Sequence, residues 1–359
     1  MSTLADSDRH VTVGVDTHAD AHVVAVVDDL GRLLATTSVP TTGRGYRRLL
    51  GWATSHGVVD RFGIEGTGSW GAGLARFLVG EGHVVVEVDR PNRRTRRRRG
   101  KSDTVDAEAA ARAALSGEAC GQAKAQDGAV EMIRVLRLAR RSALKARTQA
   151  MNQLHGVLVR APEQLRASLR GLRPAQLVGA AAALRPGEPT SVAAATKLTM
   201  RELARRHQAL SAEVDRLDAT LVPLVAATAP ELVALHGVGP ETAGILLVSA
   251  GDNADRLRSE AACAHLWGAA PVEASSGRTR RHRLSRGGDR QANHALWRIV
   301  IVRMKTHGPT RAYVERRTHE GLSKAEIIRC LKRYVAREVY RCLPQTNHGT
   351  LLTDRPEAA

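Results

Sequence analysis

Four acidic residues have the spacing most open to chemistry. Asp16 closes a run in which Val11, Val13 and Val15 alternate with smaller or polar residues, so it stands at the C-terminal end of a predicted strand. A buried sheet opens to solvent there, and α/β folds place ligands at such ends. Glu65 closes another predicted strand, Val58 to Glu65, and is followed by Gly66-Thr-Gly68. Asp103 and Asp106 follow Ser102, a suitable N-cap, in the first turn of a predicted helix running to about Gly117. A single acid there would do no more than complement the helix dipole. Two acids three residues apart share a helical face, and if that helix covers the sheet, the pair meets Asp16 and Glu65. Carboxylates gathered in one cleft raise each other's pKa values, and divalent cations relieve the repulsion. Hard oxygen ligands select Mg²⁺ or Mn²⁺, and two such ions about 3.5–4 Å apart are common apparatus for phosphodiester cleavage.

These positions depend on a particular order of elements. Val11 to Asp16, Val23 to Val27 and Leu33 to Val39 read as strands, with Asp29-Leu30-Gly31 as turn chemistry. Gly43 to His56 reads as a helix with Tyr46, Leu49, Leu50 and Trp52 as its apolar residues. After the Val58 to Glu65 strand come a helix, Trp70 to Glu81, and a strand, His83 to Asp89. The order β-β-β-α-β-α-β is that of the ribonuclease-H-like fold, an antiparallel meander extended by two parallel strands.

Beyond Val130 the pattern becomes helical. Glu131 to Arg160 spaces Leu136, Ala143, Ala150 and Val157 by seven, and Pro162, Pro174, Pro186 and Pro189 interrupt the next stretch. Leu198 to Thr228 interleaves Met200, His207, Val214 and Leu221 with Leu203, Leu210, Leu217 and Leu224, a sustained heptad seam. The two helices predict an antiparallel coiled-coil arm, suited to dimerisation or to an internal hairpin alone. His207 reads as a polar residue tolerated on the seam. The expected class is α/β plus all-α: a catalytic domain at 1–118, a helical arm at 119–230, a helical domain at 231–343 and a mobile tail at 344–359.

The 359 residues carry a formal net charge of +18, most of it from arginine, which points to a polyanionic partner. Nucleic acid fits better than an acidic membrane surface, because no apolar run approaches the roughly 18 residues needed to span a bilayer. Met1 to His10 lacks the apolar core of a signal peptide, so a soluble, cytoplasmic protein is expected. Cys120, Cys263, Cys330 and Cys342 show no CxxC spacing, which argues against a zinc site or disulfide framework. Aromatics make up only 3% of the chain, so phosphate contacts and shape should outweigh base stacking.

The densest positive stretch, Arg90 to Lys101, contributes Arg93, Arg94, Arg96, Arg97, Arg98, Arg99 and Lys101 as nucleic-acid contacts, with a solvated surface run as the plainer reading. Leu235-His-Gly237-Val-Gly239-Pro precedes an apolar helix and resembles a helix-hairpin-helix turn. In such a turn the N–H groups near Gly237 and Gly239 face a DNA phosphate. Predicted helices Ser259 to Trp267 and Arg290 to Lys305 flank a loop. It holds Ser275, Ser276 and Gly277 among Arg278, Arg280, Arg281, Arg283, Arg286 and Arg290. From the residues alone this loop reads as a phosphate-gripping surface. Its serines have no adjacent histidine base, and His282 is the nearest candidate.

Asp16, Glu65 and Lys101-Ser-Asp103-Thr-Val-Asp106-Ala resemble the DEDD set of RuvC-like insertion-sequence transposases. The likeness is to the insertion-sequence "one-ten" family, whose members resemble recombinases guided by a bridge RNA. Gly63-Ile-Glu65-Gly-Thr-Gly68 is similar to that family's second motif. Gly268-Ala-Ala-Pro271, Ser276-Gly277 and Ser285-Arg-Gly-Gly-Asp-Arg290 resemble its C-terminal serine transposase domain, with Gln291-Ala-Asn293 a local departure. The resemblance spans most of residues 11–340. It implies DNA strand cleavage and rejoining, with Asp16, Glu65, Asp103 and Asp106 as metal ligands and Ser276 as nucleophile. Ser275 is an adjacent alternative and Ser285 a poorer match. It also implies donor and target DNA, a guide RNA, and a homo-oligomer, dimer or tetramer, whose active site is completed between protomers.

Other readings compete. Gly14-Val-Asp16-Thr before a hairpin also opens actin-like sugar kinases, but those need glycine after the Asp, where this chain has Thr17-His18. A RuvC-like resolvase or nuclease using metal-activated water is the nearer alternative, and a non-catalytic nucleic-acid-binding protein is the third.

Overall fold

The computed structural model describes residues 9–88, 102–119, 121–278, 282–283, 285 and 287–344. They form two compact units. One holds the described chain up to Gly128 together with Ala250–Ala262, and the other holds Ala129–Ser249 and Cys263–Pro344. The Arg90 to Lys101 stretch, Arg280, Arg281, Arg286, Cys120 and the tail beyond 344 lie outside the described residues.

The first unit is built on a sheet. Its elements are β1 (His10–Asp16), β2 (Ala21–Asp28), β3 (Leu33–Pro40), α1 (Gly43–Thr54), β4 (Val58–Glu65), α2 (Ala72–Gly80), β5 (Val85–Val88), α3 (Asp103–Leu115) and β6 (Gly121–Gln122). The strand order is β3-β2-β1-β4-β5-β6. β1 pairs antiparallel with β2 and parallel with β4, so the expected meander with two parallel additions is present. The added edge strand β6 pairs antiparallel with β5 and has only two residues, too few to show periodicity in the sequence.

Each face of the sheet is covered differently. Val11, Val13, Val15, Val24, Phe62 and Ile64 join Leu49, Leu74 and Leu78 of α1 and α2 in one core. Each fully buried side chain of that size contributes roughly 1.5–3 kcal/mol. The opposite face takes α3 at very short range. A Cβ on Gly14 would lie 2.1 Å from the Ala107 carbonyl oxygen and 2.2 Å from the Ala111 nitrogen. A Cβ on Gly63 would lie 2.7 Å from the Ala110 carbonyl oxygen. Glycine on the strands and Ala107, Ala110, Ala111 and Ala114 on the buried side of α3 therefore allow backbone to rest on backbone. The returning segment is fixed by Asn253, whose Nδ2 donates to the Ala123 carbonyl at 2.9 Å and whose Oδ1 accepts from the Ala125 N–H at 3.1 Å.

The second unit is helical. Its long members are α4 (Ala129–Val159) and α7 (Val192–Thr228), separated by α5 (Glu163–Leu169) and α6 (Pro174–Ala182). Leu154 packs in one cluster with Met200 and Ala204, the Arg147 charge acts on His207, and Arg140 bonds Asp218 at 3.0 Å. Those pairings make the two long helices antiparallel. Ala143 and Ala150 are buried on α4, and Met200, Val214 and Leu221 on α7, all at the heptad positions read from the sequence. The proline-rich link is more ordered than the proline count suggested. Pro162 and Pro174 start α5 and α6, whose Leu165, Leu169, Leu177 and Val178 pack beside Met200.

The chain continues through α8 (Pro230–Ala234), α9 (Pro240–Ala250), α10 (Glu260–Leu266), strands β7 (Val272–Glu273) and β8 (His282–Arg283), then α11 (Arg290–Thr306), α12 (Gly308–His319) and α13 (Lys324–Arg341).

Candidate active site

Parallel pairing sets Val15 against Ile64, so Asp16 and Glu65 end neighbouring strands. Strand alternation puts Asp16 with Gly14, and Glu65 with Gly63, on the face that α3 covers. Thr17 Oγ1 donates to the Glu65 carbonyl at 2.8 Å and ties the two strand ends together. Ser102 caps α3, its Oγ accepting from the Val105 N–H, which directs the first turn with Asp103 and Asp106 toward the same sheet end.

The group that forms includes His18, a residue whose only evident mark in the sequence is that it stands where a phosphate-binding loop would need glycine. Asp16, His18 and Asp103 bring ligand atoms within 4.8 Å of one another. His18 Nε2 is 3.1 Å from Asp16 Oδ2 and 3.6 Å from Asp103 Oδ2. Asp106 is buried, and Glu65 half-buried, and neither joins that closest group. Burial pushes the Asp16 carboxyl above its ordinary range; His18 offsets part of the effect, and the Asp106 and Asp103 charges add to it. Asp16 is only 9% exposed, so its charge is poorly solvated without a cation nearby. Two carboxylates and an imidazole around one space fit a divalent cation. The sequence signal for His18 was its place two residues past a strand-end Asp, a spacing too common to single out.

Ser276 belongs to the other unit. Val272 pairs with Arg283 and Glu273 with His282, so Ser275, Ser276 and Arg278 sit exposed toward the far end of a short hairpin. Arg283 and Arg290 are exposed and Ser285 half-buried. The hairpin base is clasped. Gly288 has φ +85°, and a Cβ there would lie 2.5 Å from the Leu266 carbonyl oxygen. The Asp289 N–H donates to that carbonyl at 2.6 Å, while Asp289 Oδ1 caps α11 by accepting from the Gln291 and Ala292 N–H groups. Asn293 Nδ2 donates to the Trp267 and Gly268 carbonyls at 2.8 and 2.9 Å, and its Oδ1 accepts from Lys332 Nζ at 2.9 Å. The Gly-Gly-Asp stretch and Asn293 thus act on loop closure.

The Gly237 turn packs inward. Gly237 has φ +79° and lies against the backbone of Ile299, Arg303 Nε donates to the His236 carbonyl, and the Gly239 N–H donates to Thr242 Oγ1 at 3.0 Å. The Gly239 donor expected to face a phosphate is therefore engaged inside the chain.

Among the described residues, no helix is long and apolar enough to cross a membrane. No curated protein matches the chain. Residues 13–161 match the DEDD transposase family of IS110 type, from β1 to just past α4. Residues 229–315 match the family described as "Transposase IS116/IS110/IS902 family", which takes in the Gly237 turn, the clasped hairpin and α11. With a mixed α/β sheet under the first match and a helical region under the second, the chain belongs to the IS110 family of transposases, enzymes that act on DNA.

Proposed function

We propose that this transposase cuts and rejoins DNA through a covalent phosphoserine intermediate, at a site made from the carboxylates of the sheet unit and Ser276 of the helical unit. The observation that carries the reading is the convergence of Asp16, His18 and Asp103 beside Asp106 at the open end of the sheet. Asp16, Asp103 and Asp106, with Glu65 on the adjacent strand end, would hold Mg²⁺ or Mn²⁺. Bound there, the metal would polarise the scissile phosphate and stabilise charge on its oxygens. Ser276 Oγ attacks phosphorus; a P–Oγ bond forms as the bond to the departing strand breaks. The proton lost from Oγ is balanced by the one the departing oxygen takes up. Arg278 and Arg283, on the same hairpin, stabilise the attacked phosphate. The ester conserves the bond for rejoining to the target strand.

In this reading α4 and α7 form a coiled-coil arm that joins protomers of a dimer or tetramer, and the site is completed between them. Residues 119–230 serve as arm, and 231–343 as the serine transposase domain. A guide RNA selects the donor and target DNA, and the net charge of +18 supports that load of polyanion. The protein works in the cytoplasm, where that DNA lies.

The test is adduct detection on denaturing gels, using the full chain, its co-purifying RNA, Mg²⁺ and DNA carrying the element's ends, with mass spectrometry to locate the modified residue. Ser276→Ala should bind nucleic acid yet form no adduct, while Ser275→Ala and Ser285→Ala retain it. Asp16→Asn should lower strand cleavage by about 10³-fold, the scale of several kcal/mol of transition-state stabilisation. An adduct on Ser275 would move the nucleophile by one residue. Efficient recombination with no adduct would sink the serine mechanism in favour of metal-activated water.

A further inference from the structure

Between the hairpin and α13 lies a cleft of about 960 Å³. Its walls include Arg283 on β8 and Arg329, Lys332, Arg333 and Arg337 on α13, with Glu326 the one acid among the described lining residues. Nothing in the sequence motifs marks the α13 residues, and they lie beyond both family matches. Arg329, Arg333 and Arg337 recur every four residues, so they form one row along the helix with successive Cα atoms about 6 Å apart. Lys332 is 6% exposed and holds Asn293, the residue that grips the hairpin base, so the cleft floor and the hairpin are one hydrogen-bonded assembly. Tyr334 also lines the cleft and remains 46% exposed.

Several cations lining one concave space give it a positive potential that suits a ligand with repeated negative charge. A row about 12 Å long spans roughly three to four phosphate steps of one strand, taken at about 3.4 Å of helix axis each. An exposed tyrosine beside a basic groove offers a stacking face for a base, the usual pairing in single-strand sites. Glu326 bonds to Ser323 in its own helix cap through Oε2, while its Oε1 lies 3.8 Å from Arg329 Nη2, so one acid offsets part of the charge of a cleft that remains strongly basic.

We propose that this cleft seats the phosphodiester backbone of a nucleic-acid strand, with Arg329, Arg333 and Arg337 on phosphates spaced along it and Tyr334 under a base. The seat lies beside the Ser276 hairpin, so it holds the strand on which the serine acts or the RNA paired to it. This assignment rests on the proposed action on nucleic acid, and it does not depend on the serine chemistry.

The experiment is a fluorescence-anisotropy titration of the full chain with a labelled DNA oligonucleotide of about a dozen residues, and with RNA of the same sequence, over a range of KCl. Arg329→Gln combined with Arg333→Gln and Arg337→Gln should weaken binding about tenfold or more. It should also lower the log–log salt slope by about two units, at about 0.7 per phosphate lost on a single strand. The corresponding triple Lys variant keeps the charges and should keep most of the slope. If the triple Gln variant fails to fold by circular dichroism, Arg329→Gln alone should still lower the slope by about 0.7. A change confined to DNA assigns the seat to the cut strand, and one confined to RNA assigns it to the guide. A folded Gln variant with the wild-type slope on both probes overturns the proposal. Arginine-dependent binding in a chain that recombines DNA with no adduct would sink the serine mechanism and leave the cleft standing.

Discussion

In the sheet unit the acidic side chains stand on elements whose interiors are shut off from water, whereas in the helical unit Ser276 stands on a hairpin of two-residue strands and is itself exposed. The carboxylate end is held by contact: glycine backbone against alanine backbone, with no side chain between β1 and α3 at Gly14. The serine end is held by a few hydrogen bonds at one point, the Gly288–Asp289–Asn293 clasp on Leu266, Trp267 and Gly268. The difference follows from charge. Carboxylates that crowd one another push apart, so their supports need packing that yields little. A neutral serine exerts no such force, and fixing the base of its hairpin suffices.

The most damaging way to test this comparison is to fill the β1–α3 contact. Gly14→Val places carbon where the Ala107 carbonyl and Ala111 N–H already lie, and overpacking of that kind destabilises by about 3 kcal/mol or more. Thermal unfolding should show a large drop in midpoint, and strand cleavage should vanish because α3 can no longer bring Asp103 and Asp106 to Asp16. Gly51→Ala is the matched control: it sits inside α1 with nothing within 4 Å, and should stabilise by about 0.5–1 kcal/mol. A Gly14→Val protein that melts like the wild type would mean that backbone contact does not hold the acids.

A smaller effect should follow from opening the clasp. Gly288→Ala combines a left-handed φ of +85° with a close approach to the Leu266 carbonyl, which together cost about 1–3 kcal/mol. Limited proteolysis should then cut within residues 268–290 faster than in the wild type, and adduct yield should fall. The sheet unit should keep its own protease resistance. Equal weakening of both units would erase the contrast between them.

The sheet was legible in the sequence because its strands are β-branched and alternate, and because Asp16, Glu65 and Ser102 mark element ends where strand and capping rules apply. The meander, the parallel pair, α3 and the heptad positions Met200, Val214 and Leu221 all followed from period and spacing. The features that stayed hidden share a physical form. His18 joined the acidic group through a turn geometry that no periodicity encodes. Pro162 and Pro174 read as interruptions because proline both breaks helices and starts them, and only packing beside Met200 decides which. Gly239 read as a phosphate donor because a turn motif does not reveal that Thr242 takes its N–H. The arginine row on α13 stayed out of sight because four-residue spacing of charge is also how a solvated helix face looks, and its meaning depends on what faces it.

The subtlest prediction returns to Asp16. Burial raises its pKa above 3.8, so the folded state holds its proton longer than the unfolded chain does. Stability from the neutral form is complete below 3.8 and is lost as pH rises through the folded value, because the unfolded chain releases its proton first. At neutral pH without divalent cation, Asp16 is therefore a charged group in a poor place, relieved only in part by His18. Asn at position 16 keeps a carbonyl to accept from His18 but cannot ionise. Metal-free Asp16→Asn should accordingly melt higher than the wild type at pH 7, and the difference should close as pH falls below about 4. Saturating Mg²⁺ or Mn²⁺ should reverse the order, since binding at about 100 times Kd stabilises the wild type by about 2.7 kcal/mol and the variant has lost a ligand. The measurement is a set of melting curves at both pH values with and without cation. A metal-free variant less stable than the wild type at pH 7 would show that the carboxylate is a structural partner of His18, and that the acids are held together by that bond rather than against their own repulsion.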